Sequence, residues 1–124
     1  AILSILAEKL GAKEVDAVEI DKNANKNAIK NLATNNCKVI QIINGDGVSI
    51  PNKKYDFVLV NINRNTIFKE FTNFLKIMKK NSIVLFSGFF ESDIDYIKDL
   101  SFKSGLKILY SDLENQWALL VMKK

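Results

Sequence analysis

Two strand-like runs close this sequence, LKILYS and WALLVMK, and only DLENQ stands between them. Five residues cannot carry a crossover helix, so these runs are expected to pair as an antiparallel hairpin. The chain before them has a different rhythm. Ile2, Leu3, Ile5, Leu6 and Leu10 recur at helical spacing, and Gly11 follows as a stop. Val15 to Ile20 is a short apolar run suited to a buried strand. Ala24, Ala28, Ile29, Leu32 and Ala33 form the inward stripe of the next helix, with Lys and Asn facing out. KVIQII, 38–43, is β-branched and reads as a strand, and GDG at 45–47 with Pro51 breaks the chain into a loop. YDFVLVN, 55–61, is a buried strand ending in Asn61. A helix starting near Thr66 carries Ile67, Phe71, Phe74, Leu75 and Met78. SIVLFSG, 82–88, is the next strand, and a helix from about Ser92 to Lys103 ends at Gly105. Strand and helix alternate, which signals an α/β fold with a mostly parallel sheet and helices on both faces. The closing hairpin adds one antiparallel strand to it.

A chain of 124 residues suffices for a single domain, 1–124, and nearly half of it is apolar, enough for a real core. Eighteen basic against fourteen acidic residues give +4, which permits an acidic partner or a site near RNA; the charges are scattered along the sequence, so a solvated surface is the plainer reading, and direct nucleic-acid binding is not expected. There is no histidine, which excludes His-based triads and His-rich metal sites, and no metal is expected. Cys37 is the only cysteine, so no intramolecular disulfide can form, and a reduced, cytoplasmic setting fits. No apolar run approaches the length of a membrane span. The sequence opens on Ala1 and its first methionine is Met78, so it is expected to start inside a longer protein.

Three features carry chemistry. The first is EVDAVEID, where a short strand ends in Glu19 and Asp21. In open α/β sheets ligands sit outside the carboxyl ends of the strands. A carboxylate there can accept from both hydroxyls of a ribose at once. Asp21 is placed to cap the following helix, which leaves Glu19 for a ligand or, equally, as a solvated strand end. The second is GDG, 45–47. Asp46 and nearby backbone N–H groups can meet a flat base edge such as adenine's, although this composition also makes an ordinary turn. The third is VNINRN, 60–65. An amide at the exit of a buried strand can accept from an amine and aim its lone pair. Asn63 or Asn65 can cap the helix, and Asn61 comes too early for that.

Together these features resemble a class I S-adenosylmethionine-dependent methyltransferase, whose Rossmann-like sheet ends in such a hairpin. More narrowly, ILSILAEKLGAKEVDAVEID, YDFVLVNINRN, SIVLFSGFFESD and NQWALLVMKK resemble the carboxyl-terminal catalytic domain of the ribosomal protein L-eleven methyltransferase family, PrmA. The resemblance covers essentially all 124 residues. It implies that Glu19, with Ile20 beside it, meets the cofactor ribose, that Asp46 and Gly47 follow the adenine, and that Asn61 lies by the transferring methyl group and orients the amine. It also implies S-adenosylmethionine as cofactor and, as substrate, amino groups of a large-subunit ribosomal protein: lysine side chains and the N-terminal amine. The intact enzyme is expected to be a cytoplasmic monomer. The family's first strand and its DxGxGSG turn are absent from the sequence, so the fragment alone is expected to be inactive and poorly stable. A methyltransferase for another acceptor, such as a nucleic-acid base, is the nearest rival. Those enzymes usually carry proline and an aromatic after the asparagine, where Ile62-Asn63-Arg64 stands here. A non-catalytic interaction module is the third possibility.

Two phenylalanines, Phe89 and Phe90, follow Gly88 at a strand exit, so one of them is a candidate for the substrate mouth. Trp117 and most other aromatics are expected in the core. Arg64 is open to a contact with substrate or the ribosome, but an exposed arginine at a helix start is the plainer reading.

Overall fold

A computed structural model describes all residues, 1–124. The chain folds as two compact units, Ala1–Asn52 and Lys53–Lys124.

The first unit runs α1 (Ile2–Lys9), β1 (Val15–Glu19), α2 (Lys22–Thr34) and β2 (Ile40–Asn44), then a 3-10 turn, Gly47–Ser49. Strands β1 and β2 pair in parallel, from Val15 opposite Ile40 to Glu19 opposite Asn44. Asp21 caps α2 as expected, its carboxylate accepting from the N–H groups of Asn23 and Ala24. Two expectations need correction. The strand at 15–20 is only half-buried and stops at Glu19, leaving Ile20 exposed. In α2, Ala28 is buried, but Ile29 and Ala33 face solvent, and Asn25 is buried in their stead. The polar side chain is tolerated there because its Nδ2 donates to the Glu19 carbonyl at 3.0 Å. The unit buries little else: Ile2, Leu6 and Leu10 of the α1 segment are half or more exposed.

The second unit runs β3 (Tyr55–Asn61), α3 (Arg64–Ile77), β4 (Met78–Phe90), a 3-10 turn (Glu91–Asp93), α4 (Ile94–Lys103), β5 (Lys107–Glu114) and β6 (Trp117–Lys123). Its sheet has the order β3-β4-β6-β5. Strands β3 and β4 are parallel, and β6 is antiparallel to both β4 and β5. The last strand of the chain thus inserts between β4 and β5 and alone runs against the rest. The hairpin is tighter than the sequence suggests. Asp112 to Glu114 lie in β5, and only Asn115 and Gln116 make the turn, both left-handed at φ 49° and 70°. Two left-handed central residues make a type I′ turn, whose twist matches that of the flanking strands.

Strand β4 is longer than 82–88 because it is irregular at both ends. Tyr55 pairs with Met78 and Phe57 with Ile83, so Lys79 to Ser82 bulge out of the ladder around Asn81, at φ 70°. A second bulge, between Phe86 and Phe89, lies opposite Leu120 to Ala118. The core sits on one face, where Val58, Val60, Val84, Phe86, Leu120 and Met122 are buried. Helix α3 covers it with Phe71 and Phe74, whose rings lie 5.8 and 6.4 Å from that of Phe86. Helix α4 packs beside α3, with Tyr96 6.0 Å from Phe68. On the opposite face Phe57 and Leu59 are exposed. No helix of the structure is long and apolar enough to cross a membrane.

Candidate functional site

In the first unit the carboxyl end of β1 is a hub of polar contacts. The Glu19 carbonyl accepts from the Gly45 N–H at 3.0 Å and from the Nδ2 groups of Asn25 and Asn44, each also at 3.0 Å. Asn44 Nδ2 reaches the Ile20 carbonyl as well, at 3.1 Å. These bonds hold the GDG loop against the strand end, so Glu19, Ile20 and Gly45 to Gly47, far apart in sequence, form one rim. The Glu19 side chain is exposed, and its Oε1 accepts from the Asp21 N–H at 2.9 Å. That bond sets the direction of the carboxylate. Asp46 has a local duty: it caps the 3-10 turn, its Oδ1 accepting from the Val48 N–H at 3.2 Å. Gly45 has no alternative, since a Cβ there would stand 2.0 Å from Ser49 Oγ.

In the second unit Asn61 ends β3 opposite Ser87. Its Oδ1 accepts from the Ser87 hydroxyl at 3.3 Å, and the Ser87 carbonyl accepts from the Ile62 N–H at 3.1 Å. Gly88 follows in the bulge at φ 85°. A Cβ on it would come within 2.7 Å of Asn61 Oδ1 and 2.8 Å of the Ile62 nitrogen. Only glycine permits both the left-handed turn and the close approach. Asn63, not Asn65, caps α3, accepting from the Thr66 N–H and hydroxyl at 3.0 Å. The helix accordingly begins at Arg64, two residues before Thr66. This frees Asn61 from capping.

An open pocket of about 560 Å³ lies at this strand end, lined by Asn61, Ile62, Asn63, Ser87, Gly88, Trp117 and Ala118. Trp117 is not a core residue; it is half exposed, because it starts β6 at the rim where the sheet ends. Of the two phenylalanines, Phe89 is buried, and Phe90 is exposed and lies 4.5 Å from the Trp117 ring. Phe68 is likewise exposed. Arg64 is engaged: it pairs with Asp93 at 3.4 Å and lies over the Tyr96 ring at 5.2 Å. Acidic residues cluster at this end. Glu91 bonds through its N–H to Gln116 at the hairpin tip, and Glu114 faces Trp117 across the ladder. Sequence reasoning missed Ser87, Gly88 and Trp117. The Ser-Gly pair closing SIVLFSG was the available signal, since glycine at a strand exit marks a bulge or a close backbone approach.

Alternating strands and helices closed by an antiparallel strand make a methyltransferase-like α/β fold. Similarity to known proteins narrows it. All of residues 1–124 match the family described as ribosomal protein L11 methyltransferase (PrmA), and the chain belongs to that family. Curated ribosomal protein L11 methyltransferases include one from Bacteroides thetaiotaomicron, 33% identical over 119 residues, covering 95% of this chain and 42% of that protein. Another, from Thermosipho melanesiensis, is 37% identical over 122 residues, covering 98% and 45%. The chain therefore spans less than half the length of these relatives. The crystal structure of a ribosomal protein L11 methylase from Lactobacillus delbrueckii subsp. bulgaricus superposes with a TM-score of 0.92 at 24% identity, over 98% of this chain and 63% of that one.

Proposed function

We propose that the protein carrying this chain transfers methyl groups from S-adenosylmethionine to amino groups of a ribosomal protein, lysine side chains and the N-terminal amine, and that residues 1–124 belong to its catalytic domain. The observation that carries this reading is the Asn61 amide at the mouth of a pocket, held by Ser87 and Gly88 with its carbonyl oxygen fixed. Family membership supports it. A ribosomal substrate puts the reaction in the cytoplasm, and the intact enzyme is taken as a monomer.

The residues present fit the cofactor. The Glu19 carboxylate is exposed at a strand end, directed by a backbone bond, and carries acceptors for a pair of hydroxyls. Ile20 supplies an exposed apolar surface beside it. Asp46 and Gly47 sit in a loop tied to the same strand end and are assigned to the adenine. When bound, the sulfonium supplies an electrophilic methyl group, so the protein need only position the nucleophile.

Positioning is the task of Asn61. A lysine amine, with a pKa of about 10.4 in water, is mostly protonated at neutral pH. Carboxylates such as Glu91 and Glu114 at the rim attract it in that form. Loss of water among Trp117, Ala118 and Ile62 then favours the neutral amine. The Asn61 carbonyl accepts from an amine N–H and turns the lone pair outward, without acting as a base. We also propose that the free edge of β3, which pairs only with β4, takes a further strand in the intact enzyme.

The test is methyl transfer from labelled S-adenosylmethionine to L11, with the whole protein. Asn61→Ala is expected to lower kcat roughly a hundredfold, as misplacement of a reactant does, and to leave the cofactor Kd nearly unchanged. Glu19→Ala is expected to weaken cofactor binding first. If both variants retain wild-type kcat and Kd, the assignments are wrong.

A further inference from the structure

The charges that look scattered in the sequence are gathered by the fold. Residues 1–52 carry six basic and six acidic side chains, so the whole +4 resides in residues 53–124. Within that second unit it is sharply divided. Lys53 and Lys54 lead into β3, and Lys76 lies in the last turn of α3. Lys79 and Lys80 project from the bulge that opens β4. Lys107 opens β5 directly opposite Lys123 near the end of β6, and Lys124 follows. Backbone contacts bind these positions into one surface. The Lys124 N–H donates to Ser82, and the Asn81 N–H donates to Lys124. Lys54 Nζ reaches the Lys76 carbonyl, and Lys124 Nζ reaches those of Leu75 and Met78.

Eight lysines thus meet one aspartate, Asp56, paired with Lys79 at 2.8 Å. The local charge is +7, and the rest of the unit, with four basic and seven acidic residues, has −3. The basic end and the Asn61 pocket lie at opposite ends of β3, about 20 Å apart at roughly 3.3 Å per residue.

Lys54 and Lys124 explain themselves: their ammonium groups satisfy the carbonyls of Lys76 and Leu75 in the last turn of α3 and that of Met78, which follows it. Lys80, Lys107 and Lys123 have no such duty, and their mutual repulsion costs stability. Lys107 and Lys123 face each other across β5 and β6, and Lys80 stands in the bulge of β4 three residues before Ile83, which is opposite Lys123, so the three extend across one end of the sheet. A row of like charges fits a linear polyanion. All are lysines, compact point charges without the bidentate fork of arginine, which suits phosphates read without regard to base.

We infer that this end of the second unit docks on the phosphate backbone of RNA, leaving the pocket at the opposite end free. The acidic pocket end repels phosphate, so one orientation on a polyanion is favoured. The inference rests on charge and topology and does not depend on the methyl-transfer reading. It departs from the expectation, drawn from the sequence alone, that nucleic acid is not contacted.

The test uses the whole protein and a fluorescent oligouridylate, with anisotropy read against salt. Four neutralised phosphates give a log–log slope of about −2.8, a drop in affinity of roughly fiftyfold between about 50 and 200 mM salt. Lys80→Glu combined with Lys123→Glu is expected to weaken binding at least tenfold at the lower salt. Lys13→Glu combined with Lys26→Glu, in the first unit, is expected to have far less effect. Thermal melts of each variant separate lost binding from lost folding, and the milder Lys80→Gln with Lys123→Gln serves if the reversal unfolds. Absence of binding at low salt overturns the inference, as does equal weakening by both pairs. Tighter binding to polyglutamate or to anionic vesicles than to the oligouridylate overturns it too, and assigns the surface to an acidic protein or a membrane.

Discussion

Gly88 controls more than its own backbone. At φ 85° it turns β4 at the bulge, and its missing Cβ leaves room for the Asn61 carbonyl oxygen. Gly88→Ala must both hold a left-handed conformation, at about 1–2 kcal/mol, and push Asn61 or Ile62 away from a 2.7–2.8 Å approach. The expected outcome is a loss of stability of about 1–2 kcal/mol or more by denaturant melt. Chemical shifts should change at Asn61 and Ile62 but not at Tyr55, at the other end of β3. Ser87→Ala removes only the hydroxyl that donates to Asn61 Oδ1. It is expected to change stability by about 1 kcal/mol at most and to loosen the Asn61 side-chain amide, seen as faster exchange of its NH2 protons. A Gly88→Ala protein as stable as wild type, with unmoved Asn61 signals, would contradict this account of the rim.

Among the elements, α1 is held by an unusual latch. Glu8, near its end, accepts through Oε1 from the Lys38 N–H at 2.8 Å and through Oε2 from the Val39 N–H at 3.2 Å. The Lys38 N–H bond is the main cause that holds the Glu8 carboxyl below its ordinary value of 4.5. Because the folded pKa is depressed, the latch's contribution is fully present above pH 4.5 and is lost as pH falls through the lowered folded value. Amide exchange at Lys38 and Val39 is therefore expected to show less protection below that window. Glu8→Gln is expected to remove the pH dependence at those two amides. The latch was not legible in the sequence, because residues thirty apart met through a loop and no periodicity encodes that. What periodicity does encode came through: the order of strands and helices, the cap at Asp21, and the antiparallel close. Element ends were less legible. The bulge at Lys79 to Ser82 and the two-residue turn at Asn115-Gln116 depend on left-handed asparagine and glutamine, which sequence pattern does not announce. Burial in α2 was misread at Ile29 because a stripe of five apolar residues spans more of the helix than its one contact face covers. Trp117 was misread because an aromatic in an apolar strand looks like core until the strand's end is known to be a rim.

For the whole chain, burial and hydrogen bonding point the same way. Fourteen of the fifteen buried apolar side chains belong to residues 53–124, and Ala28 is the fifteenth. The first unit leaves Ile2, Leu10, Ile20 and Val48 each at least 70% exposed. Strand β1 pairs only with β2, and β3 only with β4, so each strand has one row of backbone groups without a sheet partner. Beyond β3's open edge Phe57 is 63% exposed and Leu59 39%. Strands with open, apolar edges are sites of mispairing unless something covers them. Apolar area taken from water contributes about 25 cal/mol per Å², so covering even a few of these side chains stabilises by several times RT. A version of the protein with the further residues of its source, upstream of Ala1, is expected to melt at higher temperature and more cooperatively than residues 1–124. In the isolated chain, amides of 1–52 are expected to exchange faster than those of β4 and β6, which are flanked on both sides. Equal midpoints and equal cooperativity, with uniform exchange across both units, would show that these edges and faces are satisfied within the 124 residues.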